Sequence, residues 1–112
     1  MKLILPSPPS ANRYWRKWNN RMVLSDEARS YKEQVGVIAM LRKVAPYTGD
    51  VILTMHWFRE RKSGDLSNRI KVVEDALNGH AYYDDKQVVE LHAYRSDDKK
   101  HPRVEIEITE AA

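Results

Sequence analysis

Five charged side chains crowd the middle of this sequence: Asp65, Lys71, Asp75, Asp84 and Asp85. Carboxylates with a lysine among them suit one chemistry in particular. Hard divalent cations such as magnesium bind oxygen donors, take few ligands from the protein and keep positions open for water and phosphate. Such an ion can position and deprotonate a water molecule and neutralise charge growing on a phosphate. A neighbouring ammonium stabilises the same charge. Phosphodiester hydrolysis needs this set. Each residue also has a plainer reading. Asp65 can cap a helix, Lys71 and Asp75 at a spacing of four can form a surface ion pair, and Asp84-Asp85 can be turn residues.

The elements that must position these groups are legible around them. Leu66, Ile70, Val73 and Leu77 recur at helical spacing, predicting a helix from about residue 65 or 66 to Leu77, closed by Asn78-Gly79. Asn68, Lys71, Asp75 and Asn78 take its opposite side, and a loop over Tyr82–Asp85 follows. Upstream, Lys2–Pro6 reads as a strand, and Pro6, Pro8 and Pro9 force an irregular stretch. The stretch from Arg13 to Arg21 reads as a loop, and Met22–Leu24 as a short extended piece. Ser25 is positioned to cap a helix from Asp26 to about Lys43, with Ala28, Tyr31, Val35, Ile38 and Leu41 on its inner side. Val51 to Phe58 alternates as a strand, and Arg59–Gly64 is a polar turn. Gln87–Arg95 and Arg103–Thr109 read as two strands, expected to pair as a hairpin across the charged turn Ser96–Pro102. This order predicts a single α+β (mixed α/β) domain over residues 1–112, with a mixed sheet of about four strands and two main helices.

Composition narrows the function. With 42% hydrophobic residues the chain can pack a core, so global disorder is excluded. There is no cysteine, which rules out disulfides and Cys-ligated zinc and fits a reducing, cytosolic setting. No apolar run approaches the roughly 18 residues of a membrane span, and Leu3–Leu5, ended by Pro6, is too short for a secretory signal core. An EF-hand starting at Asp65 fails, because Ile70 takes the glycine position and Ala76 the terminal glutamate position. The histidines form no metal-binding pair of known spacing, and there is no Walker loop or G-x-S-x-G element. The net charge is +3, and its placement carries more meaning than its size. Arg13, Arg16, Lys17 and Arg21 are interleaved with Tyr14, Trp15 and Trp18. Arg59, Arg61 and Lys62 form a second cluster, and Lys99, Lys100, His101 and Arg103 a third. Basic clusters with aromatics suit a phosphate backbone and exposed bases; a solvated charged surface is the plainer alternative.

Four segments, in order, resemble the RusA family of Holliday junction resolvases. They are LPSPPSANRYWR from Leu5 to Arg16, VLSDEARSYKEQV from Val23 to Val35, GDLSNRIKVVEDALNG from Gly64 to Gly79, and YYDDKQVVE from Tyr82 to Glu90. The resemblance covers the whole chain. It implies a structure-selective endonuclease that resolves four-way DNA junctions in recombination and repair. The cofactor it implies is Mg2+, with Mn2+ as a substitute. It also implies a homodimer, acting on branched DNA in the cytoplasm of a bacterial cell or a phage-infected host. It makes Asp65 and Asp85 metal ligands, with Asp84 and Ser67 contributing, Lys71 the essential lysine, and Asn68 and Asp75 supporting residues. Asn12, Arg13, Arg16, Lys17, Arg59, Arg61 and Lys62 become candidates for gripping DNA. One position departs from the family pattern. Where many members have Asp-x-Asp-Asn, this chain has Asp65-Leu66-Ser67-Asn68, so a hydroxyl replaces the second carboxylate and weaker metal affinity is expected. Two alternatives stand beside the nuclease. One is a branched-DNA-binding protein on the same scaffold with weak or no activity. The other is a small interaction protein whose acids serve only as caps and turns.

Overall fold

Alternating apolar residues along three strands, and apolar stripes on two helices, bury one continuous core. In the computed structural model, which describes all 112 residues, the elements run β1 (Lys2–Pro6), α1 (Ala11–Tyr14), β2 (Trp15–Trp18), β3 (Arg21–Leu24), α2 (Asp26–Leu41), β4 (Val51–Arg59), α3 (Ser67–Leu77), a 3-10 turn (Asp85–Gln87), β5 (Val88–Asp97) and β6 (Arg103–Glu110). The main sheet has the order β1-β6-β4-β5, and β2 and β3 form a separate two-stranded ribbon. Leu3 and Leu5, Val51, Leu53, Met55 and Trp57, and Val104, Ile106 and Ile108 supply the inner face of the sheet. Ala28, Tyr31 and Val35 of α2 and Val72, Val73, Ala76 and Leu77 of α3 belong to the same core. The α+β single domain expected from the sequence is the observed one.

Local signals set the helix starts differently. Ser25 caps α2 as expected, its Oγ accepting from the Ala28 amide at 3.1 Å, and Asp26 and Glu27 sit where the helix dipole favours anions. Before α3, Leu66 occupies the cap position and no side chain caps the helix. The buried stripe of α3 is centred on Val72, Val73, Ala76 and Leu77, while Leu66 and Ile70 pack at its margin, only partly buried.

The expected hairpin of the last two strands does not form. β4 lies between them, pairing parallel with β5 and antiparallel with β6, so that Leu53 faces Leu91 on one side and Ile108 on the other. The connection arches over the end of β4, where the Asp98 amide donates to the Arg59 carbonyl at 2.9 Å. Burial explains the arrangement. β6 carries three core side chains and needs a neighbour on both edges. β5 is exposed along most of its length and suits the outside of the sheet. The long crossover through α3 makes the parallel β4–β5 pairing possible.

The stretch read as a loop around Trp15 is also ordered. After the single turn of α1, β2 and β3 pair from Trp15↔Leu24 to Trp18↔Arg21. Asn19 and Asn20 make the two-residue turn, both with positive φ (46° and 61°), as a tight hairpin turn of this length requires.

Tyr14 ties this N-terminal region to α3. Its ring is fully buried, and its hydroxyl donates to Asp75 Oδ2 at 2.5 Å. Burial and the Asp75 carboxylate hold the Tyr14 hydroxyl protonated, far above the usual phenol range. Lys32 of α2 approaches the same carboxylate oxygen at 3.5 Å. Tyr14→Phe is expected to cost about 1–3 kcal/mol, because a charged acceptor loses its closest donor. Chemical denaturation of both proteins measures this, and an unchanged midpoint would show that the bond contributes nothing to stability.

Candidate active site

α3 and the loop after it bring together the groups that the sequence places far apart. Lys71, Glu74, Asp75 and Asn78 are spaced to share one side of the helix. The chain then turns back through Gly79, whose φ of +81° is left-handed. Tyr82 is fully buried, and its hydroxyl donates to the Glu74 carbonyl at 2.7 Å. This anchor sets Asp84 and Asp85 beside the helix. Lys71 Nζ donates to Asp85 Oδ2 at 2.6 Å.

The two acids of the loop have different jobs. Asp84 is structural: its Oδ1 accepts from the Lys86 amide at 2.9 Å, capping the 3-10 turn. Gln87 completes the turn by accepting from the Tyr83 and Asp84 amides at 2.8 and 3.0 Å. Asp85 caps nothing, and its side chain is given to Lys71. The Lys71 ammonium holds the Asp85 carboxyl below the usual carboxylate range, and that carboxylate holds the Lys71 amine above its usual value. Both groups are therefore charged at neutral pH. The Asp85 side chain is 19% exposed and that of Lys71 59%, so the pair is open to a ligand from solution.

Glu74 is a member of this group that the sequence reading passed over. Burial pushes its carboxyl up, Asp85 adds to the effect and Lys71 opposes it. Its spacing of three from Lys71 was the available signal, since such residues meet on one helix face. The suggested Lys71–Asp75 pair does not form. Lys71 goes to Asp85, and Asp75 is held by Tyr14 and Lys32.

Asp65 is exposed just ahead of α3, and its carboxylate accepts no hydrogen bond. Ser67 is exposed and Asn68 half-buried in the first turn. No three acidic or histidine side chains form a cluster ready to hold a metal ion. As donors, however, the Asp65 carboxylate, the Ser67 hydroxyl and the ionised Asp85 carboxylate are all hard oxygens reachable from solvent, which is magnesium's preference. The donor chemistry fits that ion.

The basic residues fall into two places. Arg16 and Lys17 are exposed on β2, with the Arg16 guanidinium 5.7 Å from the Trp18 ring centre, and Asn12 is exposed on α1. Arg13, Arg59 and Arg61 line a cavity beside the first turn of α3. Lys62 is exposed in the turn beside them. Arg59 is already engaged, pairing with Asp97 and donating to the Gly64 carbonyl at 3.1 Å.

Comparison with known proteins bears on this arrangement. Residues 6–109 match the family model described as endodeoxyribonuclease RusA. The chain is 34% identical over 112 residues to crossover junction endodeoxyribonuclease RusA of Escherichia coli strain K12, covering 96% of this chain and 92% of the relative. It is 33% identical to the protein of that name from Enterobacteria phage 82, with the same coverage. The phage HK97 protein is 32% identical over 116 residues, covering 97% of this chain and 93% of its own length. No helix of the chain is long and apolar enough to cross a membrane.

Proposed function

We propose that this chain, which belongs to the RusA family of endodeoxyribonucleases, is a magnesium-dependent endonuclease that resolves four-way DNA junctions. The observation that carries the reading is the open Lys71–Asp85 pair. Neither side chain caps an element or fills the core. A magnesium ion would supply charge neutralisation at the phosphate and a water more easily deprotonated than in bulk. Asp65 and Asp85 would hold it, with Ser67 supplying a neutral oxygen. Manganese, which favours similar donors, would substitute.

The chain's own residues do the rest. Asp85 stays ionised because Lys71 neutralises it at rest. When a phosphate enters, the same ammonium is within reach of the negative oxygens that develop as water adds and the P–O bond to the leaving sugar oxygen breaks. Arg13, Arg16, Lys17, Arg61 and Lys62 contact the backbone, and contacts of that kind fix position while branched shape selects the target. A two-fold homodimer would match the two-fold symmetry of a junction and set two sites on opposite strands. The setting would be the cytoplasm of a bacterium or a phage-infected cell.

Incubation with a labelled four-way junction and a linear duplex of the same sequence, with and without magnesium, tests the proposal. Cutting of the junction only, and only with the metal, is the expected result. Cutting that persists in chelator, or no preference for the junction, contradicts it.

One observation favours a second reading, a branched-DNA-binding protein with little activity. Ser67 stands where a second carboxylate is expected, and no three-acid cluster forms. Ser67→Asp separates the two readings. If the missing charge limits the enzyme, cleavage rises about tenfold or more, the scale of one extra hydrogen-bonded charge in a metal site. If the wild type already cuts at full rate, the substitution changes little.

A further inference from the structure

A cavity of about 720 Å³ lies between the proline-rich segment after β1, the first half of α2, and the turn that follows β4. Arg13, Arg59, Arg61 and Arg69 line it, against two carboxylates, Glu27 and Glu60. Trp57 also lines it, and the Arg69 guanidinium lies 4.6 Å from the centre of that ring.

Arg69 is the unusual group. Its side chain makes no hydrogen bond, and its Nε is buried without a partner. Desolvation and the nearby Arg13 guanidinium both disfavour its charge, and Asp65 and Glu27 offset this only in part. A buried guanidinium nitrogen normally has a partner, since an orphaned donor is costly, and the half-buried Arg69 leaves its Nε without one. The backbone nevertheless makes room for this one. Gly64 has a φ of +95°, and a Cβ there would lie 3.1 Å from Arg69 Nη2 and 3.1 Å from the Trp57 ring. Any side chain at 64 would therefore disturb the stack.

An anion with several oxygens would resolve the imbalance. Phosphate matches the planar fork of a guanidinium bidentately, and the stack on Trp57 holds the fork in one orientation in advance. Arg13 and Arg61 also make no side-chain hydrogen bonds and remain free to share the charge. Arg59 is occupied with Asp97.

We propose that this cleft is a phosphate subsite, with Arg69 as its clamp, that holds a backbone phosphate of DNA other than the one cut. The occupant rests on the nuclease reading above. Residues 69 and 71 differ by about 200° around α3, so the two cations face different sides of the helix. One DNA strand passing the start of α3, where Asp65 stands, would meet Arg69 on one side and Lys71 on the other.

Arg69→Met keeps a long side chain over Trp57 and removes the charge and the fork; Arg69→Lys keeps only the charge. The dissociation constant for a four-way junction is measured for each across a range of salt concentrations, with thermal unfolding as a check on folding. Arg69→Met is expected to weaken binding about tenfold and to lower the slope of log K against log salt by about one. Arg69→Lys should recover the slope but not the full affinity. Arg61→Gln, at an exposed position, should lower the slope as well without affecting folding. The proposal is overturned if Arg69→Met binds within twofold of wild type with unchanged slope, whatever Arg61→Gln does, while the wild type binds and cuts the junction. In that case the nuclease reading survives alone. If the wild type binds no DNA even at low salt, both fall together.

Discussion

Asp65→Asn is expected to reduce junction cleavage by at least two orders of magnitude while leaving junction binding intact. Asp65 caps no helix, accepts no hydrogen bond and lies outside the core. Its replacement should move stability by less than about 0.5 kcal/mol, as for other surface sites without a structural role. On the proposed function, this carboxylate at the start of α3 holds a cation close to DNA. Asparagine keeps the shape and one oxygen but removes the charge on which a hard ion depends. Binding should hold or tighten slightly, because one negative charge near the phosphates is gone. Cleavage by Asp65→Asn within threefold of wild type, at saturating magnesium, would return Asp65 to the solvated surface.

Lys71→Ala is expected to lower cleavage by about 10²–10³-fold, the scale of removing one preorganised stabiliser of developing negative charge. This variant also carries a second readout. Lys71 holds Asp85 ionised, so its loss should move the Asp85 carboxyl up toward the ordinary range. On the proposed function, in which Asp85 works as the carboxylate, the acid limb of the residual activity should then shift to higher pH. The same linkage has a small stability side. A depressed carboxylate contributes stability above its unfolded pKa and loses it as pH falls through its folded value. With Lys71 more than half exposed, that contribution is screened and slight. A lysine with a merely structural role would shift unfolding and leave both the rate and the acid limb in place.

How much of this was legible beforehand depended on whether the signal was local. β1, α2, β4, α3 and β6 each carry a periodic apolar pattern, and Ser25 marks the start of α2 by its own side chain. Their boundaries came out within a few residues. The pairing of β5 and β6 is not local. Two strands with a short polar connection read as a hairpin, and nothing within either one says that β4 lies between them. The β2–β3 ribbon was missed because Trp15, Arg16, Lys17 and Trp18 show no apolar alternation; Asn19-Asn20 was the clue, a pair that tolerates the left-handed backbone of a tight turn. At the site, Lys71, Asp85 and Asp65 could be singled out by type and position, and the structure pairs the first two. The division of labour between Asp84 and Asp85 was not, since identical neighbours differ only in which one meets a backbone amide. The cleft around Arg69 depends on Trp57, Gly64 and the proline-rich segment meeting in space, and a linear reading cannot supply that.

The position of β6 between β1 and β4 has a consequence for how the protein comes into being. One of the two inner strands of the sheet leaves the ribosome after the other three strands. Until residues 103–110 emerge, the inner edges of β1 and β4 have nothing to join them, and the apolar faces of α2 and α3 rest on half a sheet. Contacts between distant parts of a chain form late and slowly. The Asp85 loop is anchored locally on α3, through the Tyr82 hydroxyl and the Glu74 carbonyl, but the buried face of that helix is covered only when the sheet is whole. A growing chain would thus present its basic segments well before the layer beneath α3 is whole.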